Sequence, residues 1–288
     1  MTRLKSFLNI VFVLGKVRIS LPVALSALAG YTLNSGNIGS QGGWLMLGVF
    51  LMSCGSGALN HWQESDIDAK MPRTRGRPIP SGRIKPTGSL LIVLFYLTAG
   101  SMVIFFTNPP IALGFSWATL FFYNLVYTPL KKVTAFAVIP GSMVGALPPM
   151  IGWTAAGGNI FGELILLVSL FFFIGQIPHF WLLLLLFGDQ YKMAGLPSLN
   201  AVFSENQIQR ITYVWVLTTV ASALLVIFFV ISSQIIILTL LIYTFYLLVY
   251  FSISVLAEKK LRVKKAFYML NFLYLLMMLF LVADSLLR

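Results

Sequence analysis

The sequence predicts an all-α polytopic membrane protein with about nine transmembrane helices, and three observations carry that prediction. Of 288 residues, 58% are hydrophobic and only 10% are charged, where soluble domains carry roughly 25% charged residues. Mean hydropathy is +0.90. The apolar runs are continuous rather than alternating, which suits helical spans and not the strands of a membrane barrel. Net charge is +12, but the basic residues lie in loops between apolar runs. Anchoring to the lipid bilayer and setting topology account for most of them, so no nucleic-acid partner is expected.

Nine runs are long enough to cross a bilayer, near 19–34, 44–63, 87–107, 110–128, 135–155, 161–187, 211–232, 235–256 and 266–286. The first reaches full length only if it begins near Asn9. Asn108-Pro109-Pro110 separates the third and fourth runs, and Ser232-Ser233-Gln234 the seventh and eighth. All Lys and Arg except Arg288 then fall on one side, from Arg3 and Lys5 through Lys192 and Arg210 to Lys259, Lys260, Arg262, Lys264 and Lys265. The positive-inside rule places the N-terminus in the cytoplasm and the C-terminus outside. Glu64, Asp66, Asp68, Asp189, Glu205 and Glu258 share the basic side, whereas Glu163 and Asp284 do not. Any chemistry belongs at the cytoplasmic face. The chain reads as one domain, 1–288, without a cleavable signal and with outer loops too short for a further domain. The single Cys54 excludes an internal disulfide, and it reads as a packing residue among Ser53-Cys54-Gly55-Ser56-Gly57.

Three stretches break the apolar pattern. The first is Asn60 to Pro78, at the end of the second run. Asn60, Glu64 and Asp68 are spaced i, i+4, i+8, so they line one face if the helix continues through Lys70. Two carboxylates and an amide are oxygen ligands suited to Mg²⁺. Arg73 and Arg77 suit phosphate oxygens, although Pro72 and Pro78 limit a helical pairing. A solvated loop held by ion pairs is the plain alternative. His61 reads as packing.

The second stretch is Tyr127 to Trp153. Lys131 and Lys132 either mark the cytoplasmic edge or neutralise a diphosphate. Gly141 and Gly145 make a small-residue face for close helix contact. Pro148-Pro149 interrupts the helix, which predicts a wide pocket near the fifth run. The third is Gln176 to Pro197. A Gln and a His inside a span are functional candidates by default, and the plain reading of His179 is a bond to a neighbouring helix. Asp189, at the cytoplasmic end, is a candidate second metal ligand.

Together these stretches resemble the UbiA superfamily of membrane prenyltransferases and, within it, the protoheme IX farnesyltransferase (haem O synthase) family. The resemblance rests on Asn60-x-x-x-Glu64-x-x-x-Asp68 with its Arg-rich loop to Pro78, on the Lys pair, Thr134 and Gly145-Ala146-x-Pro148-Pro149-x-x-Gly152-Trp153, and on Gln176-x-Pro178-His179-Phe180 with Tyr191-x-x-Ala194-Gly195-x-Pro197. Glu64 stands where Asp is usual, Lys132 where Arg is common, and Gln190 where the second acidic motif has an acid. The resemblance implies helices around a central cavity and Mg²⁺ on Asn60, Glu64, Asp68 and Asp189. It implies a diphosphate cradle of Arg73, Arg77, Lys131 and Lys132, and substrate contacts from Arg18, Tyr127, Gln176, His179 and Tyr191. The implied substrates are farnesyl diphosphate and haem b, and the implied partners are a haem A synthase or terminal oxidase assembly. The implied location is the cell (inner) membrane. A prenyltransferase for a quinone precursor and a haem-binding transporter or chaperone are the rival readings. No internal repeat of the kind many transporters show is visible.

Overall fold

The computed structural model describes residues 2–197, 199, 202–256 and 261–288. Glu258, Lys259 and Lys260 lie outside the described residues, as does the side chain of Arg3. All regular structure among the described residues is helical. Among the described residues, eight helical segments are long and apolar enough to span a membrane, and the count reaches nine when a bent pair is taken as one span. That pair is α1 (Thr2–Leu14) and α2 (Val17–Ser35), which meet at 53°. The others are α3 (Gly39–Gln63), α5 (Pro86–Thr107), Pro110–Leu130, Ala135–Ala155, α10 (Glu163–Met193), α11 (Glu205–Phe229), α12 (Gln234–Leu256) and α13 (Val263–Leu287). Pro110–Leu130 comprises α6 (Pro110–Leu120), a π-helical stretch Phe121–Tyr127 and α7 (Thr128–Leu130). Ala135–Ala155 comprises a 3₁₀ turn at Ala135–Ala137, α8 (Val138–Gly141) and α9 (Met143–Ala155). A short α4 (Ser65–Lys70) follows α3.

Local chemistry marks the helix ends. Pro86 and Pro110 occupy the first turns of α5 and α6, where a missing N–H costs nothing. Ser204 and Gln207 form a capping box on α11. Asp284, an acid on the face away from the basic loops, accepts hydrogen bonds from the Ser232 and Ser233 N–H groups at the start of α12 and pairs with Arg288. An anion at a helix N-terminus is the favourable arrangement, and it gives Asp284 a structural role.

The proline pair of the fifth span closes the space around itself, and the cavity beside this span is a small one at its start, lined by Ala135, Ala137 and Val138. Pro148 and Pro149 are buried in α9, which packs on α2. A Cβ at Gly30 would lie 1.9 Å from the Pro149 carbonyl oxygen, and one at Gly152 would lie 1.7 Å from the Ala27 carbonyl oxygen. The backbones therefore approach as closely as small-residue faces allow, and the pocket expected at Pro148-Pro149 is replaced by dense packing. The expected Gly141–Gly145 face is realised: Gly145 receives Gln176 of α10, and Gly141 receives the Tyr127 ring. Cys54 is buried against Gly15, as a packing residue.

Candidate active site

The second span does not run straight through Lys70. Glu64 leaves helical geometry at φ −112°, ψ 7°, and α4 starts anew. The four-residue ladder nevertheless survives: Glu64 N–H donates to the Asn60 carbonyl at 3.0 Å, and Asp68 N–H to the Glu64 carbonyl at 2.8 Å. Asn60, Glu64 and Asp68 thus stay in register, and all three are buried, at 1%, 4% and 1% exposure. Asp66 is exposed. Burying two carboxylates is costly unless cations accompany them. Lys131 forms an ion pair with Glu64, and Arg77 Nη1 lies 2.7 Å from Asp68 Oδ2.

The fourth span supplies the second layer of the site. Its π-helical stretch is held by Asn124, which is buried. Asn124 Nδ2 donates to the Ser56 carbonyl and to Gln63 Oε1, and its Oδ1 accepts from Ser56 Oγ at 2.6 Å. The widened turn stacks Tyr123 on Tyr127, ring centroids 5.8 Å apart. It also presents Thr128, which donates to the Tyr123 carbonyl and accepts from Asn60 Nδ2 at 3.0 Å. Those bonds assign the Asn60 amide: its nitrogen donates to Thr128 and its oxygen is left to accept from a cation. A π-helical turn at this place fits the frequent use of such turns at functional sites.

Facing these elements is α10. Tyr127, Lys131, Thr134, Phe180, Tyr191 and Pro197 line a cavity of about 40 Å³. Tyr191 therefore joins Tyr127 and Lys131, as expected. Gln176 packs over Gly145. His179 lies 4.9 Å, centroid to centroid, from Phe267 of α13, and its Nδ1 is buried without a hydrogen-bond partner.

Four residues expected at the site lie elsewhere. Arg73 and Arg77 do not share a helical face, because residues 71–82 form successive turns. Arg77 turns inward to Asp68, whereas Arg73 is exposed and lies over the Phe187 ring at 4.4 Å. Lys132 is exposed and reaches the Gln63 carbonyl at the end of α3. Asp189 is exposed, and among the described residues no three His, Cys, Asp or Glu gather as a metal-holding group, so it does not join Glu64 and Asp68. Its neighbour Gln190 instead accepts from the Arg73 N–H at 3.2 Å. Arg18 is exposed on α2. The inward cation of that region is Lys16, in place of Arg18. Lys16 Nζ donates to Asn60 Oδ1 at 2.6 Å and to the Tyr123 hydroxyl at 3.2 Å. Its position immediately after Gly15, at a join between two apolar helices, was the available signal.

The family assignment comes from comparison with known proteins. The UbiA prenyltransferase family matches residues 21–278. This chain belongs to that family. As a UbiA prenyltransferase it is a multi-pass membrane enzyme, and it is similar to proteins named protoheme IX farnesyltransferase. The one from Oleidesulfovibrio alaskensis is 36% identical over 209 residues, covering 73% of this chain and 74% of that protein. The one from Geobacter sulfurreducens is 38% identical over 186 residues, covering 64% and 68%. The fold matches that of a UbiA homologue from Archaeoglobus fulgidus bound to GPP and Mg²⁺, with TM-score 0.70, 14% identity and coverage of 97% and 100%. A UbiA homologue from Aeropyrum pernix K1 has TM-score 0.73 at 17% identity, with coverage of 93% and 98%.

The donor set of this UbiA prenyltransferase suits Mg²⁺. Asn60, Glu64 and Asp68 are all oxygen donors, and Mg²⁺ takes one or two carboxylates alongside substrate phosphates. Asp68 Oδ1 is buried with no hydrogen-bond partner. An orphaned carboxylate oxygen in a buried, cation-rich place is what a metal ligand looks like before its ion arrives.

Proposed function

We propose that this chain transfers the farnesyl group of farnesyl diphosphate to a vinyl group of protohaem IX (haem b), giving haem O and releasing diphosphate. The observation that carries the reading is the buried ladder Asn60–Glu64–Asp68 with its unpartnered Asp68 oxygen and attendant cations. The acceptor is inferred from the relatives named protoheme IX farnesyltransferase and from the buried His179 of α10, whose Nδ1 has no hydrogen-bond partner. The chain would lie in the cell (inner) membrane with this site toward the cytoplasm, which the one-sided basic loops support.

Asn60, Glu64 and Asp68 would hold Mg²⁺, which when bound neutralises charge on the diphosphate and makes it a better leaving group. Arg77 and Lys131, paired with Asp68 and Glu64, stand beside these ligands, so they would stabilise the charge that grows as the C1–O bond breaks with its electron pair leaving on diphosphate. Tyr127 and Phe180 line the cavity, with Tyr123 stacked on Tyr127, and such rings would shield an allylic cation from water and stabilise it through their faces. The vinyl π pair then forms the new carbon–carbon bond. Water adds to the resulting cation and loses a proton, leaving a hydroxyethylfarnesyl substituent. His179 Nδ1 would contact haem iron or a propionate.

Purified protein with farnesyl diphosphate, Mg²⁺ and haem b should consume haem b and release pyrophosphate in equal amounts. Pyrophosphate release with a hydroxybenzoate and not with haem would replace the acceptor. Haem binding with no pyrophosphate release would replace the enzyme reading with that of a haem carrier.

A further inference from the structure

Each rung of the ladder carries one cation. Arg77 pairs with Asp68 and Lys131 with Glu64, while Lys16 Nζ sits 2.6 Å from Asn60 Oδ1. We infer that Lys16 is an exchangeable counter-cation. It holds the Asn60 oxygen while the site lacks its metal, and it transfers to the diphosphate when Mg²⁺ and farnesyl diphosphate enter. The inference rests on the prenyl-transfer reading above.

The bonding around Lys16 fits exchange better than permanent anchorage. Its two hydrogen-bond partners are neutral, an amide oxygen and the Tyr123 hydroxyl at 3.2 Å, with the Tyr123 ring centroid 5.7 Å away. No carboxylate bonds to it, so its charge is held less firmly than those of Lys131 and Arg77. A divalent ion competing for Asn60 Oδ1 displaces an ammonium from a neutral acceptor far more easily than from a carboxylate. The ammonium then stands beside a newly arrived polyanion, on a stem with four rotatable carbons.

The backbone shows that the placement is built. Lys16 has φ 47° and ψ 42°, and it is the one non-glycine residue with positive φ among the described residues. That conformation is disfavoured for any residue with a Cβ and persists only where its surroundings impose it. Here they do. The join between α1 and α2 is packed onto the small-residue face of α3, with Gly15 against Cys54 and the Lys16 stem against Gly57. Arg18, two residues on, is exposed, so the bend selects Lys16 as the inward cation.

The test uses detergent-solubilised full-length protein. Mn²⁺ binding is titrated by electron paramagnetic resonance, alone and with the non-reacting analogue farnesyl thiodiphosphate. Lys16→Met should bind Mn²⁺ alone several-fold more tightly, because the competitor for Asn60 is gone. With Mn²⁺ present it should hold the analogue about tenfold more weakly, because one charge-assisted contact is lost. Lys16→Asn, whose side chain tolerates the left-handed backbone, should behave in the same way and guards against a folding defect. Lys16→Arg should restore analogue binding. If both neutral variants weaken Mn²⁺ and analogue together, Lys16 is a structural residue and the inference is wrong. If neither variant shifts either affinity, it is also wrong. A wild-type protein that binds neither probe would overturn the prenyl-transfer reading itself, and the Lys16 assignment with it.

Discussion

The two walls of the site are built on opposite principles. The wall made by α3, α4 and the fourth span is saturated with polar contacts: every rung of Asn60–Glu64–Asp68 meets a cation, and Thr128 and Asn124 tie the backbone behind them. The wall made by α10 has almost none. Gln176 packs on a glycine, His179 Nδ1 has no partner, and Asp189 faces away while Gln190 bonds to a loop N–H. Charged chemistry needs positions fixed in advance, because donors aimed at developing charge act best when they need not reorganise. A large, mostly apolar acceptor needs surface and one or two polar contacts. On the proposed reading, the diphosphate goes to the first wall and the acceptor to the side of α10.

The largest expected effect comes from breaking the charged wall. Asp68→Ala should lower Mg²⁺-dependent turnover by about 10³-fold or more, since it removes a metal ligand and leaves the Arg77 guanidinium without its carboxylate partner. Pyrophosphate release in single-turnover assays would show it. His179→Ala should cut prenylated-haem formation by roughly 10- to 100-fold, the loss expected when one positioning contact to a substrate is removed, while diphosphate binding stays at the wild-type level. Thr128→Val keeps shape and deletes the hydroxyl that orients Asn60. About tenfold lower turnover is expected, equivalent to roughly 1–3 kcal/mol for an unpaired buried amide, without loss of folded protein. Gln190→Asp sharpens the contrast from the other side. It places an acid on the second wall, but Gln190 touches the loop and not the ladder, so activity should stay within about threefold.

Some of this was legible in the sequence and some was not. Eight of the nine expected spans match single helical segments to within about six residues, because run length and hydropathy respond directly to bilayer thickness, and the first is the bent pair of α1 and α2. The Asn60–Glu64–Asp68 ladder was legible because four-residue spacing survives even the helix break at Glu64. The π-helical turn at Phe121–Tyr127 was not: Phe-Phe-Tyr-Asn-Leu-Val-Tyr carries no local mark, and the turn depends on Asn124 reaching Ser56 and Gln63 on another helix. Lys16 escaped for the same reason, since its inward course is set by packing on α3. Arg73 was assigned inward on the strength of a spacing that Pro72 and Pro78 already weakened. Pro148-Pro149 was read as a cavity former because proline frees backbone groups, but the helix restarts at Met143 and the flanking glycines draw α2 onto it.

The division of labour between the walls can be measured directly by a crossed binding experiment. Farnesyl thiodiphosphate and haem b affinities are determined separately for the wild-type protein, Asp68→Ala and His179→Ala, each with Mg²⁺. Asp68→Ala should lose the diphosphate analogue and keep haem, and His179→Ala should lose haem and keep the analogue. Equal loss of both ligands in either variant, in protein that remains folded, would contradict it.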